Sequence, residues 1–327
     1  MKISQTINKL FWQARKNANK AAFFVFLLFL MTACYFGYYY GPATFVPQRP
    51  GNFIIGLKDT KQDIIKKLVD GKFIKNEKIF LELLELKQKN IVNPGGFFIS
   101  PSMWPYQIIN ILSSQSNQIW FTIEPGERRE QIALELKKKL KWNKNETQKF
   151  IEESKEGFLF PETYLLDVDS KPKEIIDKFE NELKKQIKDL NISDKDLNRI
   201  MTFASLVERE SVAKVDSRLV AGILQNRLNQ NQFLQIDATV QYALGSELAW
   251  WPRITRQDYQ IDHPYNTYKI KGLPPGPICA TGLDAIKAVL NPEKTNYMFY
   301  LHDRNMIIHP AYTYQQHQQN MATYIGN

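Results

Sequence analysis

The chain has 327 residues, 43% of them hydrophobic and 24% charged, with a mean hydropathy of −0.39. That length allows about two domains, and the hydropathy excludes a protein built from many membrane spans. With 20 Phe, 15 Tyr and 6 Trp the chain can pack a core, which excludes a disordered protein.

The net charge of +9 is unevenly spread. Lys2, Lys9, Arg15, Lys16 and Lys20 fall in the first twenty residues, which hold no acid. Setting those five aside leaves +4 for the rest, which gives no argument for a nucleic-acid partner. Residues 21–40, AAFFVFLLFLMTACYFGYYY, carry no charge. About 20 apolar residues at about 1.5 Å each cross a hydrocarbon core of about 30 Å. The positive-inside rule keeps residues 1–20 cytoplasmic and puts residues 41–327 on the other side of the membrane. A cleaved signal peptide and a lipoprotein signal at Met31-Thr32-Ala33-Cys34 are the alternatives. Cys34 and Cys279 are the only cysteines. They are expected in different phases, so a disulfide is not predicted, and two thiols are too few for structural zinc.

Residues 41–50 contain Pro42, Pro47 and Pro50 and read as a stiff linker. Three segments then share a pattern of β-rich run, turn and amphipathic helix, starting at Phe53, Phe97 and Phe121. Their apolar helical positions are Ile64/Ile65/Leu68, Ile108/Ile109/Leu112 and Ile132/Leu134/Leu136. Residues 51–118 are long enough for a small α+β module, and 119–327 for a larger α+β domain. Within the latter, helices are predicted over 143–155, 173–190, from 194 onward with Ser193 or Asp194 as cap, over 217–228 and over 283–290. The aromatic segment EGFLFPETYLLD (156–167) reads as a loop or short strand, and MFYLHDRNMIIHP (298–310) as a hairpin turning near Asp303-Arg304-Asn305.

The sharpest chemical signal lies in FASLVERES (203–211). Phe203, Leu206 and Val207 fall at i, i+3 and i+4 of a helix, and i+7 is Glu210, so an apolar stripe runs into an acid. Glu208 points about 160° away. A carboxyl in a partly apolar cleft has its pKa raised by desolvation, the state a general acid needs. Two plainer readings stand beside this one: a buried Glu paired with Arg or Lys, or a stripe that ends at residue 207. Asp237 and Asp262 are candidate partner acids, each also readable as a turn or capping residue. His263, His302, His309 and His317 lack close metal-ligand spacing, and no P-loop, GxSxG elbow or GxGxxG motif is present.

EGFLFPETY (156–164), ASLVERES (204–211), NRLNQNQFLQIDATVQYALG (226–245) and YNTYKIKGLPPGPI (265–278) together carry a resemblance. The chain resembles the endolytic murein transglycosylases of the MltG/YceG type over nearly its whole length. The resemblance implies one cytoplasmic-membrane span, a LysM-like module at 51–118 and a catalytic domain at 119–327. It implies cleavage of the β-1,4 bond between N-acetylmuramic acid and N-acetylglucosamine inside nascent peptidoglycan strands, leaving 1,6-anhydro ends. The family's glutamate, the second acid of E-x-E, maps to Glu210. Glu162 and Asp237 are expected to line the substrate cleft, and Tyr265, Asn266, Thr267 and Tyr268 to contact sugar or orient Glu210, with a satisfied turn before a strand as the plainer reading of these four. Trp104, Trp250 and Trp251 are candidates for sugar stacking, with core packing as the plainer role. No metal or cofactor is implied, and wall synthases are the implied protein partners. The family's Gly-Gly-His-x-Phe turn is Met306-Ile307-Ile308-His309-Pro310 here, so no role passes to His309. A muramidase-type hydrolase with a second carboxylate and a non-catalytic wall-binding or divisome scaffold are the competing functions.

Overall fold

A computed structural model describes residues 2–211 and 215–326. Met1 and Asn327, at the ends of the expected basic segment and larger domain, and residues 212–214, within the helical stretch expected from 194 onward, lie outside the described residues. The chain divides into two compact units, residues 1–120 and 121–327.

In the first unit, α1 (Lys2–Tyr39) runs through the basic segment and onward as one helix. Its stretch Asn17–Tyr39 is long and apolar enough, by length and composition, to cross a membrane. Residues 41–50 form no regular element, yet they are not a free stalk. Thr44 N–H donates to the Pro101 carbonyl (3.1 Å) and Ser100 Oγ donates to the Gln48 carbonyl (2.9 Å). Next come β1 (Gly51–Ile55), α2 (Lys61–Asp70), α3 (Glu77–Leu86), β2 (Gly95–Ile99) and α4 (Pro105–Leu112). The strands pair antiparallel, Gly51 opposite Ile99 and Ile55 opposite Gly95. Alternation sends Phe53, Ile55, Phe97 and Ile99 into a core shared with Ile64, Ile65 and Leu68 of α2 and Ile108, Ile109 and Leu112 of α4. Thr60 and Asp63 form a reciprocal capping box that starts α2. Helix α3 has no counterpart among the sequence expectations; Asn76 caps it, and Phe80 and Leu84 reach the same core.

The strand β3 (Gln118–Thr122) carries the boundary between units. The second unit continues with α5 (Arg129–Leu140), α6 (Lys144–Glu153), β4 (Thr163–Asp167), α7 (Pro172–Ile187) and α8 (Asp194–Glu210). It is completed by α9 (Ser217–Asn229), α10 (Asp237–Leu244), α11 (Leu283–Leu290), β5 (Phe299–His302), β6 (Ile308–Ala311) and α12 (Tyr314–Asn320), which runs into a π-helical turn Met321–Ile325. The mixed α+β class is as expected. On α5 the buried residues are Ile132, Ala133, Leu136 and Leu140, while Leu134 is only half-buried. The hairpin β5–β6 pairs Phe299 with Ala311 and His302 with Ile308.

Helix α8 is the spine of this unit. One side packs Phe203, Leu206 and Val207 against Val220 and Leu224 of α9 and Ala285 and Ala288 of α11. The other packs Met201 and Ala204 against Leu183 and Ile187 of α7 and Ile286. Two of the motif segments meet at Gly157. Its φ is +80°, and a Cβ there would lie 2.3 Å from Pro277 Cβ, so the position needs glycine twice over.

Candidate functional site

Ser193 caps α8: its Oγ accepts from Asp196 N–H at 3.3 Å. The helix then runs seventeen residues and ends on Glu210. Near that end Ser205 anchors it. Its Oγ donates to the Thr202 carbonyl (2.7 Å) and accepts from the Ile278 N–H (3.0 Å), which ties the GLPPGPI segment to the helix. The last three side chains then diverge. Glu208 Oε2 accepts from the Gly282 N–H at 2.9 Å. The Arg209 guanidinium lies 3.9 Å from the centre of the Trp251 ring. Glu210 enters a cleft of about 500 Å³, where its Oε2 accepts from the Tyr300 hydroxyl at 2.7 Å.

Segments from α8 to the C-terminal turn build that cleft. Helix α8 supplies Glu210, α9 supplies Arg227, Gln235 lies just before α10 and Asp237 is its first residue. Tyr259 and Tyr268 form one side, and Phe299, Tyr300 and Leu301 of β5 another. Tyr314 and His317 of α12, with Met321 and Ile325, complete the lining. A larger hollow of about 770 Å³ lies beside Asp189, Arg218, Lys287 and Asn291, but its lining includes no aromatic side chain for a sugar to stack on.

Burial is the main cause of a raised Glu210 pKa, and the negative charge of Asp237 adds to it. The Tyr300 hydrogen bond, His302 and Arg209 pull the other way. Burial and the facing Glu210 push the Tyr300 phenol far above its ordinary value, so it stays protonated and donates. Arg227 is 8% exposed, with Nη1 donating to the Leu234 carbonyl (2.7 Å) and Nη2 to Gln235 Oε1 (3.0 Å). Its guanidinium sits 5.3 Å from the Phe299 ring centre. Burial draws its pKa down, while Tyr300, Tyr268 and Glu210 oppose that. His317 stacks on Phe299 at 5.5 Å, and burial and the Arg227 charge lower its pKa.

The residues expected to meet substrate separate into groups. Asp237 and Tyr268 line the cleft: Tyr268 Oη donates to Asp237 Oδ1 at 2.5 Å, and its ring stacks on Tyr259 at 4.2 Å. Asn266 and Thr267 are fully buried and do not line it. Asn266 Nδ2 donates to the Tyr259 and Ile261 carbonyls (3.0 and 2.8 Å), and its Oδ1 accepts from the Tyr268 N–H (3.0 Å). Thr267 Oγ1 accepts from the Ile236 N–H at 2.9 Å and shares a hydrogen bond with Thr239 Oγ1 at 2.9 Å, which fixes the start of α10. Both residues place the groups that face the cleft.

Tyr265 packs on Tyr242 at 4.8 Å, beside Glu156, outside the lining. Glu162 is exposed and accepts from the Thr163 N–H at 2.8 Å, also outside it. Asp262 is exposed and does not line the cleft. His309 bonds Asp303 (3.1 Å) and stacks on Tyr324 at 3.6 Å. His302 Nε2 lies 2.5 Å from Asp216 Oδ2. Trp251 packs on Arg209, Trp250 lies 5.5 Å from the Arg128 guanidinium, and Trp104 is 40% exposed in the first unit. Among the described residues no group of three or more His, Cys, Asp or Glu side chains is placed to hold a metal ion.

Tyr300, Tyr259, Arg227 and the α12 residues were not expected. Arg227 had a signal: Val220, Ile223, Leu224 and Arg227 repeat on α9 the spacing that singles out Glu210 on α8. Tyr300 had none, because its partner lies ninety residues away.

The YceG-like family model matches residues 53–323. Over 290 residues the chain is 30% identical to the endolytic murein transglycosylase of Bacillus subtilis (strain 168), spanning 78% of this chain and 79% of that protein. It is 33% identical over 180 residues to the endolytic murein transglycosylase of Streptococcus pneumoniae serotype 2 (strain D39), spanning 53% of this chain and 32% of that longer protein. A crystal structure of a yceG-like protein from Listeria monocytogenes is similar with a TM-score of 0.53 at 26% identity, over 84% of this chain and 99% of that one.

Proposed function

The chain belongs to the YceG-like family, and from that premise we propose that it is an endolytic peptidoglycan lytic transglycosylase, with Glu210 as its single acid and base. Glu210 gives its proton to the bridging oxygen of a MurNAc-β-1,4-GlcNAc bond. The C1–O bond breaks, its electron pair leaves with that oxygen, and the N-acetylglucosamine end departs as an alcohol. The muramyl 6-hydroxyl then gives its proton to the Glu210 carboxylate while its oxygen bonds C1. The product is a 1,6-anhydro end; Glu210 is protonated again, and no water is consumed. A glycosidase that hydrolyses needs a second carboxylate for nucleophile or base; an internal nucleophile removes that need.

One observation carries the reading: the Glu210 carboxyl lies in a cleft, held by a neutral phenol, with burial favouring its acid form. Tyr259, Tyr268 and Asp237 are assigned sugar contacts there, with Asn266 and Thr267 as the residues that place them. Outside the cleft, Tyr265 and Glu162 keep no assigned contact. The N-terminal helix is assigned as a single-pass anchor with its basic end in the cytoplasm. The catalytic unit then lies on the outer face of the cytoplasmic membrane, where new strands and their synthases are. Residues 51–118 are assigned to glycan binding of LysM type.

The test is mass spectrometry of glycan strands digested by the full-length protein in detergent. Anhydro-muramyl ends are expected, and Glu210→Gln is expected to lower the rate by about 10²–10⁴ with unfolding unchanged. Because Asp237 shares the cleft with Glu210, a two-carboxylate hydrolase is the second reading; reducing ends in place of anhydro ends would establish it. A folded wild type that binds sacculi without cutting them would establish a scaffold.

A further inference from the structure

The reaction asks one carboxyl to give a proton and take one back. Glu210 has two oxygens, and the cleft treats them differently. Oε2 accepts from Tyr300 Oη at 2.7 Å. Among the described residues no donor is seen on Oε1, so a protonated Glu210 with Tyr300 bonded to Oε2 carries its proton on Oε1. Tyr300 is itself well held. It lies in β5, whose backbone is fixed by the pairing of Tyr300 with Pro310 and Leu301 with His309. Its neighbour Phe299 is covered by Arg227 and His317, and His302, two residues on, bonds Asp216.

We propose that Tyr300 is a positioning residue that confines both proton transfers to one oxygen of Glu210, by occupying the other throughout the cycle. This rests on the assignment of Glu210 as the acid and base. Two consequences follow from the geometry. The carboxyl need not rotate between donating to the bridging oxygen and accepting from the 6-hydroxyl. The Tyr300 bond also strengthens when Glu210 becomes anionic, because hydrogen bonds to charged acceptors are about twice as strong as neutral ones. Tyr300 therefore steadies the intermediate carboxylate through its hydroxyl.

Other groups act on the same carboxyl. Asp237 of α10 opposes its ionisation, and His302 of β5 and Arg209 of α8 favour it. Arg227 of α9 also interacts with Glu210 electrostatically. Tyr300→Phe keeps all of them and removes one hydroxyl. Loss of that donor is expected to move the Glu210 titration up by about one pH unit or more, since a hydrogen bond to a charged group is worth about that much. The basic limb of the pH–rate profile, where the acid form disappears, moves up with it. At its optimum kcat falls by about 10–100-fold while KM changes little, because the lost interaction belongs to the reacting state.

The experiment compares the full-length wild type with Tyr300→Phe by two readouts. One is the pH profile of kcat and KM on glycan strands. The other is infrared titration of the Glu210 carboxyl without substrate, identified by its loss in Glu210→Gln. An upward shift in both supports the role. An unshifted carboxyl titration in a folded Tyr300→Phe protein overturns it, as does a loss confined to KM. If the wild type cuts no glycan, the functional reading fails on its own, and the substrate-free titration still decides whether Tyr300 governs Glu210.

Discussion

Asn266 sits where packing and function meet. It is fully buried, and its side chain makes three hydrogen bonds: two to the carbonyls of Tyr259 and Ile261, and one from the N–H of Tyr268. It thus grips the backbone of both stacked tyrosines of the cleft. Asn266→Ala leaves two carbonyl oxygens and one amide unpartnered in the interior. Each such group costs about 1–3 kcal/mol, less whatever local relaxation recovers, so a loss of about 3 kcal/mol is expected. In a unit of this size that corresponds to a fall of about 6–12 °C in Tm. The looser tyrosine pair should raise KM for glycan more than it lowers kcat. Asn266→Asp, close to the same shape, points an acceptor at two carbonyl oxygens and should destabilise at least as much at pH 7. Acidification should restore part of that loss, as the carboxyl gains a proton to donate. Denaturant and thermal unfolding followed by circular dichroism, with digestion kinetics, measure each quantity. An Ala variant within about 0.5 kcal/mol of the parent, with unchanged KM, would refute the reasoning.

The same cleft and its surroundings give two further expectations. The Asp237 charge raises the Glu210 pKa, so Asp237→Asn should move the basic limb of the pH–rate profile downward, opposite to Tyr300→Phe; an unmoved limb would show that the two carboxyls do not communicate. Glu156, its carboxyl bonded by the Arg129 N–H at 3.2 Å and approached by the Tyr242 hydroxyl at 3.4 Å, is pushed up to about 7 by burial and by the charge of Glu130. A carboxyl that holds its proton more tightly when folded stabilises below its unfolded value near 4.5, and that stabilisation drains away as pH rises to about 7, by an amount on the order of 3 kcal/mol. Stability measured from pH 4.5 to 8 should therefore fall less steeply in Glu156→Gln. Glu127, also raised to about 7 by burial, keeps part of the slope, and identical slopes in parent and variant would exclude the Glu156 contribution.

Helical periodicity made much of this molecule readable from its residues. The predicted helices over 217–228 and 283–290 are α9 and α11 to within a residue, and the hairpin turns where Asp303-Arg304-Asn305 was expected. The stripe through Phe203, Leu206 and Val207 does lead to an acid that differs in surroundings from Glu208, which is bonded to Gly282. Other features were hidden for physical reasons. Helix α12, YQQHQQN, has no apolar stripe to announce it, yet it lines the cleft with Tyr314 and His317. Helix α10 is eight residues long and is started by a hydroxyl from Thr267, thirty-one positions away from Ile236, which no local pattern encodes. Asn266 and Thr267 are readable from sequence as sugar contacts, as orienters of Glu210 or as a satisfied turn. Their burial favours the last of these, and type and neighbourhood could not decide among them: a polar side chain that satisfies backbone groups inside a loop resembles, in one dimension, one that reaches outward. Tyr300 stands for the contacts that exist only after the chain has closed on itself.

Glu210 is the final residue of α8. Peptide dipoles add along a helix to leave partial negative charge at its carboxyl end, worth about 0.3–1 kcal/mol against an anion near the surface and more when sheltered from water. The backbone of seventeen residues therefore resists proton loss at this position before any side chain is considered. Had the same acid stood on the first turn, the field would have reversed and favoured a resting base. The direction in which the polypeptide was threaded through its own core thus biases this carboxyl toward holding its proton, the state from which the proposed cycle begins.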